Sequence, residues 1–486
     1  MTDDTEDTIG PGLKRMAAAV VVGAIMTILD TTIVNVAINT LSRDFDSPLS
    51  TVQWTLTGYT LALSMSIPLT GWSVRRFGAK TMWLTALGVF VAGSVLCAVA
   101  WSVWVLVAFR ILQGVGGGLL MPVGQAMLLR AAGPRRMGRV MSVISVPAML
   151  APVLGPVVGG LILDSLSWRW MFLVNLPVGV VAVVLAVRLL PADEDRRAGE
   201  GLDGIGLLLL SPGLAALVYG LSQAGTDTTR LVVGAGAGLV LVAAFAVRAL
   251  RLAGGPVPPL LDLRAFRDRA FTTSTTALFT YSAAIFGLLV VLPIYYQVVQ
   301  GRTPLAAGAL IAPLGLGAMV TLPIAGRVTD RAGPRGVALT GLVVVAVGSA
   351  CYTRLDVDTS LALLTGALFV VGLGHGLITP SLMAGAFRGL SREDVPSAST
   401  TANILARLGT SAGTAALAVV LQIAVRTAVP GADTMADATR IRTPQVTEAL
   451  TGAFGTSLWW TVGITALAIL PTVLIPTRQP AGSAAG

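Results

Sequence analysis

A carboxylate buried in an apolar run of membrane length is costly enough that function is its default reading. Asp30 is such a residue, within Leu29-Asp30-Thr31-Thr32-Ile33-Val34-Asn35-Val36-Ala37. Low dielectric favours the neutral form of a carboxyl, so a group in this position can take up a proton and release it in exchange for a cationic or dipolar molecule. Arg110, in another apolar run, is the natural counter-charge. A fixed cation favours the carboxylate, so approach and separation of the two would unload and load the proton. Gln113 and Gly114 follow Arg110 at three and four residues, on the same helical face. Thr27, Thr31, Asn35 and Asn39 recur every fourth position and with Asp30 are expected to form one polar stripe. The plainer alternatives are that Asp30 only pairs with a neighbouring helix and that Arg110 caps carbonyls or snorkels to an interface.

The other reactive residue types are sparse. His375 is the one histidine, within Gly372-Leu373-Gly374-His375-Gly376, where small neighbours leave room for a ring that titrates or meets a substrate; a hydrogen-bonded packing histidine fits equally well. With no second histidine and no clustered carboxylates, neither a metal site nor a cofactor is expected. Cys97 and Cys351 read as packing residues, and Gly116 to Gly118 lack the Lys-Ser/Thr of a phosphate loop. No nucleophile and base fall into an enzyme-like constellation. Contacts to a greasy small molecule are expected from Met26, Asn35, Trp54, Tyr59, Gln113, Phe279, Phe286, Tyr296, Gln297 and His375, with aromatic interface belts as the competing explanation, above all for Tyr295 and Tyr296. Outside the first span no mid-membrane Asp or Glu appears, which favours neutral or monocationic substrates over divalent cations.

The elements that must position these residues follow from composition. Of 486 residues, 54% are hydrophobic and 12% charged, and the mean hydropathy of +0.81 is far above that of a soluble domain. The net charge of +9 sits in short clusters between apolar runs, which fits cytoplasmic loops of a membrane protein better than a nucleic-acid face. Runs long enough to cross a bilayer predict fourteen helices, at 13–38, 50–74, 81–101, 104–129, 140–163, 169–190, 203–221, 230–250, 271–297, 305–327, 335–354, 359–385, 397–424 and 454–476. The predicted fold is all-α and polytopic. The basic clusters put both tails, 1–12 and 477–486, in the cytoplasm, and 425–453 is expected as a long external loop. No signal peptide is expected ahead of the first span.

A repeat organises these spans. Pro68-Leu69-Thr70-Gly71 followed by Arg75-Arg76-Phe77-Gly78-Ala79-Lys80 recurs 255 residues later as Pro323-Ile324-Ala325-Gly326 followed by Asp330-Arg331-Ala332-Gly333-Pro334-Arg335. Two six-helix bundles, 13–190 and 271–476, therefore enclose a two-helix insertion at 203–250, a plan that transporters use.

Five motifs now carry a resemblance along essentially the whole chain. They are the Leu29–Ala37 segment, the repeated loop, Arg110-Ile111-Leu112-Gln113-Gly114 with Gly116 to Gly118, Ala151 to Gly160 with its Pro152 and Pro156, and Trp168-Arg169-Trp170-Met171-Phe172 through Asn175-Leu176-Pro177. Together they resemble the fourteen-span drug:proton antiporter branch of the major facilitator superfamily. The resemblance implies proton-coupled export of lipophilic neutral or monocationic molecules, drugs or natural products, across the cytoplasmic membrane by alternating access, with Asp30 and Arg110 in proton coupling. It implies conformational gating by Gly71, Arg76, Gly78, Gly155, Pro156, Gly159, Gly160, Gly326, Asp330, Arg331 and Arg407. The partners it implies are a small-molecule substrate, protons and the bilayer, with no nucleic acid and a monomeric chain. The first loop copy departs from the family pattern, with Arg75 where an aspartate is usual. An uptake symporter on the same fold and a non-transporting receptor are the other readings.

Overall fold

A backbone in hydrocarbon must satisfy its own N–H and C=O groups, which a helix does within a single segment. A computed structural model describes residues 10–133, 136–193, 201–252, 259–356, 359–391, 393–429 and 443–477, with the side chains of 147–153, 156, 304 and 305 outside that description. Every regular element among the described residues is helical. The first series is α1 (Pro11–Val36), α2 (Ile38–Asp44), α3 (Leu49–Val52), α4 (Trp54–Ser66), α5 (Leu69–Phe77), α6 (Ala79–Ala98), α7 (Val103–Ala132), α8 (Met137–Ser165), α9 (Trp170–Leu173) and α10 (Asn175–Leu189). The inserted pair is α11 (Gly204–Ser222) and α12 (Thr228–Leu252). The last series is α13 (Arg269–Val298), α14 (Pro304–Ala309), α15 (Ala312–Ala332), α16 (Pro334–Ala350), α17 (Leu361–Phe387), α18 (Val395–Ala428) and α19 (Pro444–Val473).

Among the described residues, twelve helices are long and apolar enough to cross a membrane. The other two expected spans have distinct fates. Residues 50–74 fold as α3, α4 and α5, broken at Gln53 and again at Ile67 and Pro68, so each piece falls short of membrane length. Residues 140–163 lie within the 29-residue α8. The 425–453 segment differs from its expectation as a loop, because it is helical at both ends. Thr443 caps α19 by accepting from Val446 N (3.3 Å), and Pro444 fits the first turn, where its missing N–H costs nothing.

The described residues fall into two compact units. One comprises those within 1–133, 143–262 and 396–404, the other those within 134–142, 263–395 and 405–486. The repeat is visible in the backbone of each, since Gly78 ends α5 with φ of 94° and Gly333 ends α15 with φ of 90°, conformations in which a Cβ would be strained. In the first unit the inserted pair is fastened to α4. Ser211 Oγ donates to the Met65 carbonyl (2.6 Å), and Trp54 stacks on Tyr219 with ring centres 6.0 Å apart. Asp203 caps α11 through Gly206 N (2.9 Å) and pairs with Arg248 of α12 (2.9 Å). The same unit has an apolar core that includes Ile33, Val34, Leu41, Val52, Leu106, Trp168 and Phe172.

Candidate functional site

Asp30 lies on α1, five residues before the core residue Val34's neighbour Asn35, and is wholly buried. Its Oδ2 accepts from Nη1 of Arg110 at 2.5 Å. Its Oδ1 accepts from Nε2 of Gln113 (2.9 Å) and from Nδ2 of Asn175 (2.8 Å). Arg110 Nη1 also donates to Gln113 Oε1 (2.7 Å), and Arg110 Nε donates to the Thr55 carbonyl (3.2 Å). The guanidinium carbon sits 4.1 Å from the centre of the Tyr59 ring and 5.7 Å from that of Phe172. Asp30, Arg110 and Gln113 all have 0% exposure. Two ions held out of water cost several kcal/mol each unless geometry and extra hydrogen bonds compensate, and here the carboxylate has three donors.

Local sequence explains how these groups meet. Ser102 caps α7 by accepting from Val105 N, and the three-residue spacing of Arg110 and Gln113 puts both on its buried face. The glycines that follow let α7 come close to its neighbours. A methyl at Gly114 would lie 2.5 Å from the Tyr59 carbonyl, and one at Gly116 would lie 2.6 Å from the Phe90 nitrogen. Asn175 is delivered by the Trp168–Pro177 segment. Trp168 is buried and donates from Nε1 to Asp44 (2.7 Å), α9 follows, and α10 begins on Asn175 itself.

The structure brings Asp30, Arg110 and Gln113 together and adds Tyr59, expected as a substrate contact, as the ring beneath the guanidinium. The expected polar stripe does not hold as a unit. Thr27 and Thr31 hydroxyls donate to carbonyls of their own helix, those of Ala24 and Thr27, while Asn35 and Asn39 are exposed and Asp30 is not. The four-residue recurrence drifts around the helix, so it does not share a face with Asp30. Met26 is buried, its Sδ close to Gly179 of α10.

Other expected contacts fall elsewhere. Trp54, 37% exposed, belongs to the fastening of the inserted pair. On α13, Phe279 is half-buried with its carbonyl against Gly409, and Phe286 is 41% exposed. Tyr296 is sealed against Tyr295 (5.6 Å), and exposed Gln297 donates to the Pro293 carbonyl of its own helix (3.1 Å). Gly155 and Gly159 of α8, expected at a gate, have Thr32 and Ile33 of α1 as neighbours in their own unit, one turn from Asp30; small residues permit that approach. Gly160 faces open space, and the side chain of Pro156 lies outside the described residues.

In the second unit, His375 Nδ1 and the Tyr281 hydroxyl are 2.6 Å apart and both residues are buried. Asp330, at the end of α15, takes Gly138 N (2.8 Å) and Arg139 N (3.4 Å) from the first turn of α8 and pairs with Arg139 Nε (3.2 Å). The first loop copy is held differently. There Asp193 accepts from the N–H groups of Lys80 (2.8 Å) and Thr81 (3.0 Å), and Lys80 Nζ donates to the carbonyls of Val187 and Leu190. Gly71 abuts Ser397, and Arg76 is half-buried. Gly326 abuts Arg139 and Ser142, Arg331 is exposed, and Arg407 is half-buried on α18. Cys97 is buried with its Sγ 3.8 Å from Gln113 Oε1, whereas Cys351, expected to be a packing residue, is exposed. Among the described residues no group of three His, Cys, Asp or Glu could hold a metal ion.

Asn175 and Tyr281 were not singled out from sequence. Asn175 carried a faint signal, as a polar residue at the head of an apolar run within a motif already noted.

Comparison with known proteins bears on what this arrangement serves. Residues 20–414 match the family model described as Major Facilitator Superfamily. The chain is 40% identical over 412 residues to the multidrug resistance protein B homolog of Mycobacterium tuberculosis, covering 83% of this chain and 75% of the relative. It is 29% identical over 408 residues to the multidrug export protein EmrB of Haemophilus influenzae, covering 83% and 79%. Among solved structures, the human organic anion transporter MFSD10 superposes with a TM-score of 0.66 over 96% of this chain and all of that one, at 16% identity, a likeness of fold alone.

Proposed function

The chain belongs to the major facilitator superfamily, a family of transporters and not of enzymes, and on that premise we propose that it exports lipophilic neutral or monocationic small molecules in exchange for protons. The observation that carries this reading is the carboxylate of Asp30, fully buried and held by Arg110, Gln113 and Asn175. An acid of this kind inside a membrane protein can bind and release a proton as its cation approaches and withdraws. The names of the relatives, multidrug resistance and multidrug export proteins, supply the substrate class.

In this reading α4 with α5 and α8 are the two further spans that bring the count to fourteen, the protein works by alternating access, and both termini lie in the cytoplasm. The chain works as a monomer. A drug-susceptibility panel in an efflux-deficient bacterial host tests the proposal. Expression of the protein raises tolerance to a subset of lipophilic compounds, and Asp30→Asn removes that protection while still reaching the membrane. Undiminished protection by Asp30→Asn would sink the coupling assignment.

A further inference from the structure

The geometry points to Asn175 as a positioning residue for the proton step, one whose amide donates to Asp30 and so favours its carboxylate over its neutral form. This inference rests on the exporter reading. Hydrogen-bond directions around the carboxylate are fixed by their surroundings. Gln113 Oε1 accepts from Arg110, so its Nε2 must be the group that faces Asp30. The Ser94 hydroxyl gives its one proton to the Phe172 carbonyl (2.9 Å), so towards Asn175 it can only accept. Asn175 Nδ2 donates to that Ser94 oxygen (3.0 Å) and to Asp30 Oδ1 (2.8 Å). Asn175 thus donates both ways, to Asp30 on one side and on the other to Ser94, which donates onward to the Phe172 carbonyl, linking α1, α10, α6 and α9.

The carboxyl group therefore meets three donors and no acceptor among the described residues. A proton placed on it weakens these contacts, because a neutral carboxyl accepts less strongly than a carboxylate. The titratable groups around it are Arg110 on α7, which it pairs with, Cys97 on α6, and Tyr59 on α4, whose ring lies under the Arg110 guanidinium; α10 contributes the Asn175 amide. Asn175 favours the carboxylate, so removing its amide lets Asp30 hold a proton to higher pH.

The test measures drug efflux against external pH for wild type, Asn175→Leu and Ser94→Ala. On the alkaline side export fails when Asp30 no longer collects a proton. A hydrogen bond to a charged group is worth enough that its loss should move the alkaline half-point of Asn175→Leu upward by about one to two pH units. Ser94→Ala, which keeps the bond to Asp30 but frees the amide, should move it the same way by less. A second readout needs no transport. A hydrophobic carbodiimide modifies neutral carboxyls, so labelling at Asp30, with Asp30→Asn as the blank, should persist to higher pH in Asn175→Leu by a similar margin. Labelling and efflux profiles that both coincide with wild type would overturn the role of Asn175. Shifted labelling with efflux indifferent to the proton gradient would keep it and remove the exporter reading.

Discussion

Two pairs of long helices, one pair in each unit, meet through different chemistry. In one, α1 and α7 join Asp30 to Arg110 as a fully buried ion pair; in the other, α13 and α17 join Tyr281 to His375 through a hydroxyl and an imidazole 2.6 Å apart. The backbone plan is shared, down to the left-handed glycines Gly78 and Gly333, yet among the described residues a buried mid-helix carboxylate stands in one unit only, the second having Arg407 on α18 instead. The loop copies invert the pattern. The second has Asp330 on the N–H groups of Gly138 and Arg139, where a helix N-terminus favours an anion. In the first, Arg75 replaces the acid, and Ser397 occupies the place beside Gly71 that Arg139 occupies beside Gly326. Pro396, with no N–H to donate, then stands where Gly138 does. Acid and donor are absent together, so in one unit the buried carboxylate stands mid-helix and in the other at a helix end.

Substitutions can break this contrast. Arg110→Leu leaves Asp30 buried without its cation and should cost about 3–5 kcal/mol of stability, read as loss of folded protein in detergent. Combining it with Asp30→Asn should recover most of the loss without restoring transport, because the penalty belongs to the unpaired charge. Asp330→Asn makes the second loop copy more like the first; removal of an anion from the start of α8 should lower stability by about 1–2 kcal/mol and slow efflux without moving its pH profile. Smallest is Tyr281→Phe, about 1 kcal/mol for one uncharged hydrogen bond. Its efflux profile against pH should overlay wild type while the ranking of exported drugs changes. A shifted pH profile in Tyr281→Phe would erase the distinction between the units.

Much of this plan was legible in the sequence because lipid penalises charge and exposed backbone so heavily. Asp30 and Arg110 stand out from apolar runs, and the glycine and proline pattern announces the repeat. The break at Ile67 and Pro68 was less legible, since a proline kinks some membrane helices and ends others. Asn175 lies 145 residues from Asp30, and an amide near a helix start has many uses; only folding reveals which acid it serves. The aromatic residues misled most. Tyr59, Trp54 and Tyr296 look alike in sequence, yet one lies under a guanidinium, one fastens the inserted helices and one is sealed in its own unit. A ring stabilises any of these settings through area and shape, with little local signature.

Proton movement in everted membrane vesicles tests the central claim most directly. With a compound identified by the susceptibility panel, addition of substrate to energised wild-type vesicles should release protons from the lumen, and Asp30→Asn vesicles that still bind the compound should release none. Equal proton release from the two would contradict the assignment of coupling to Asp30.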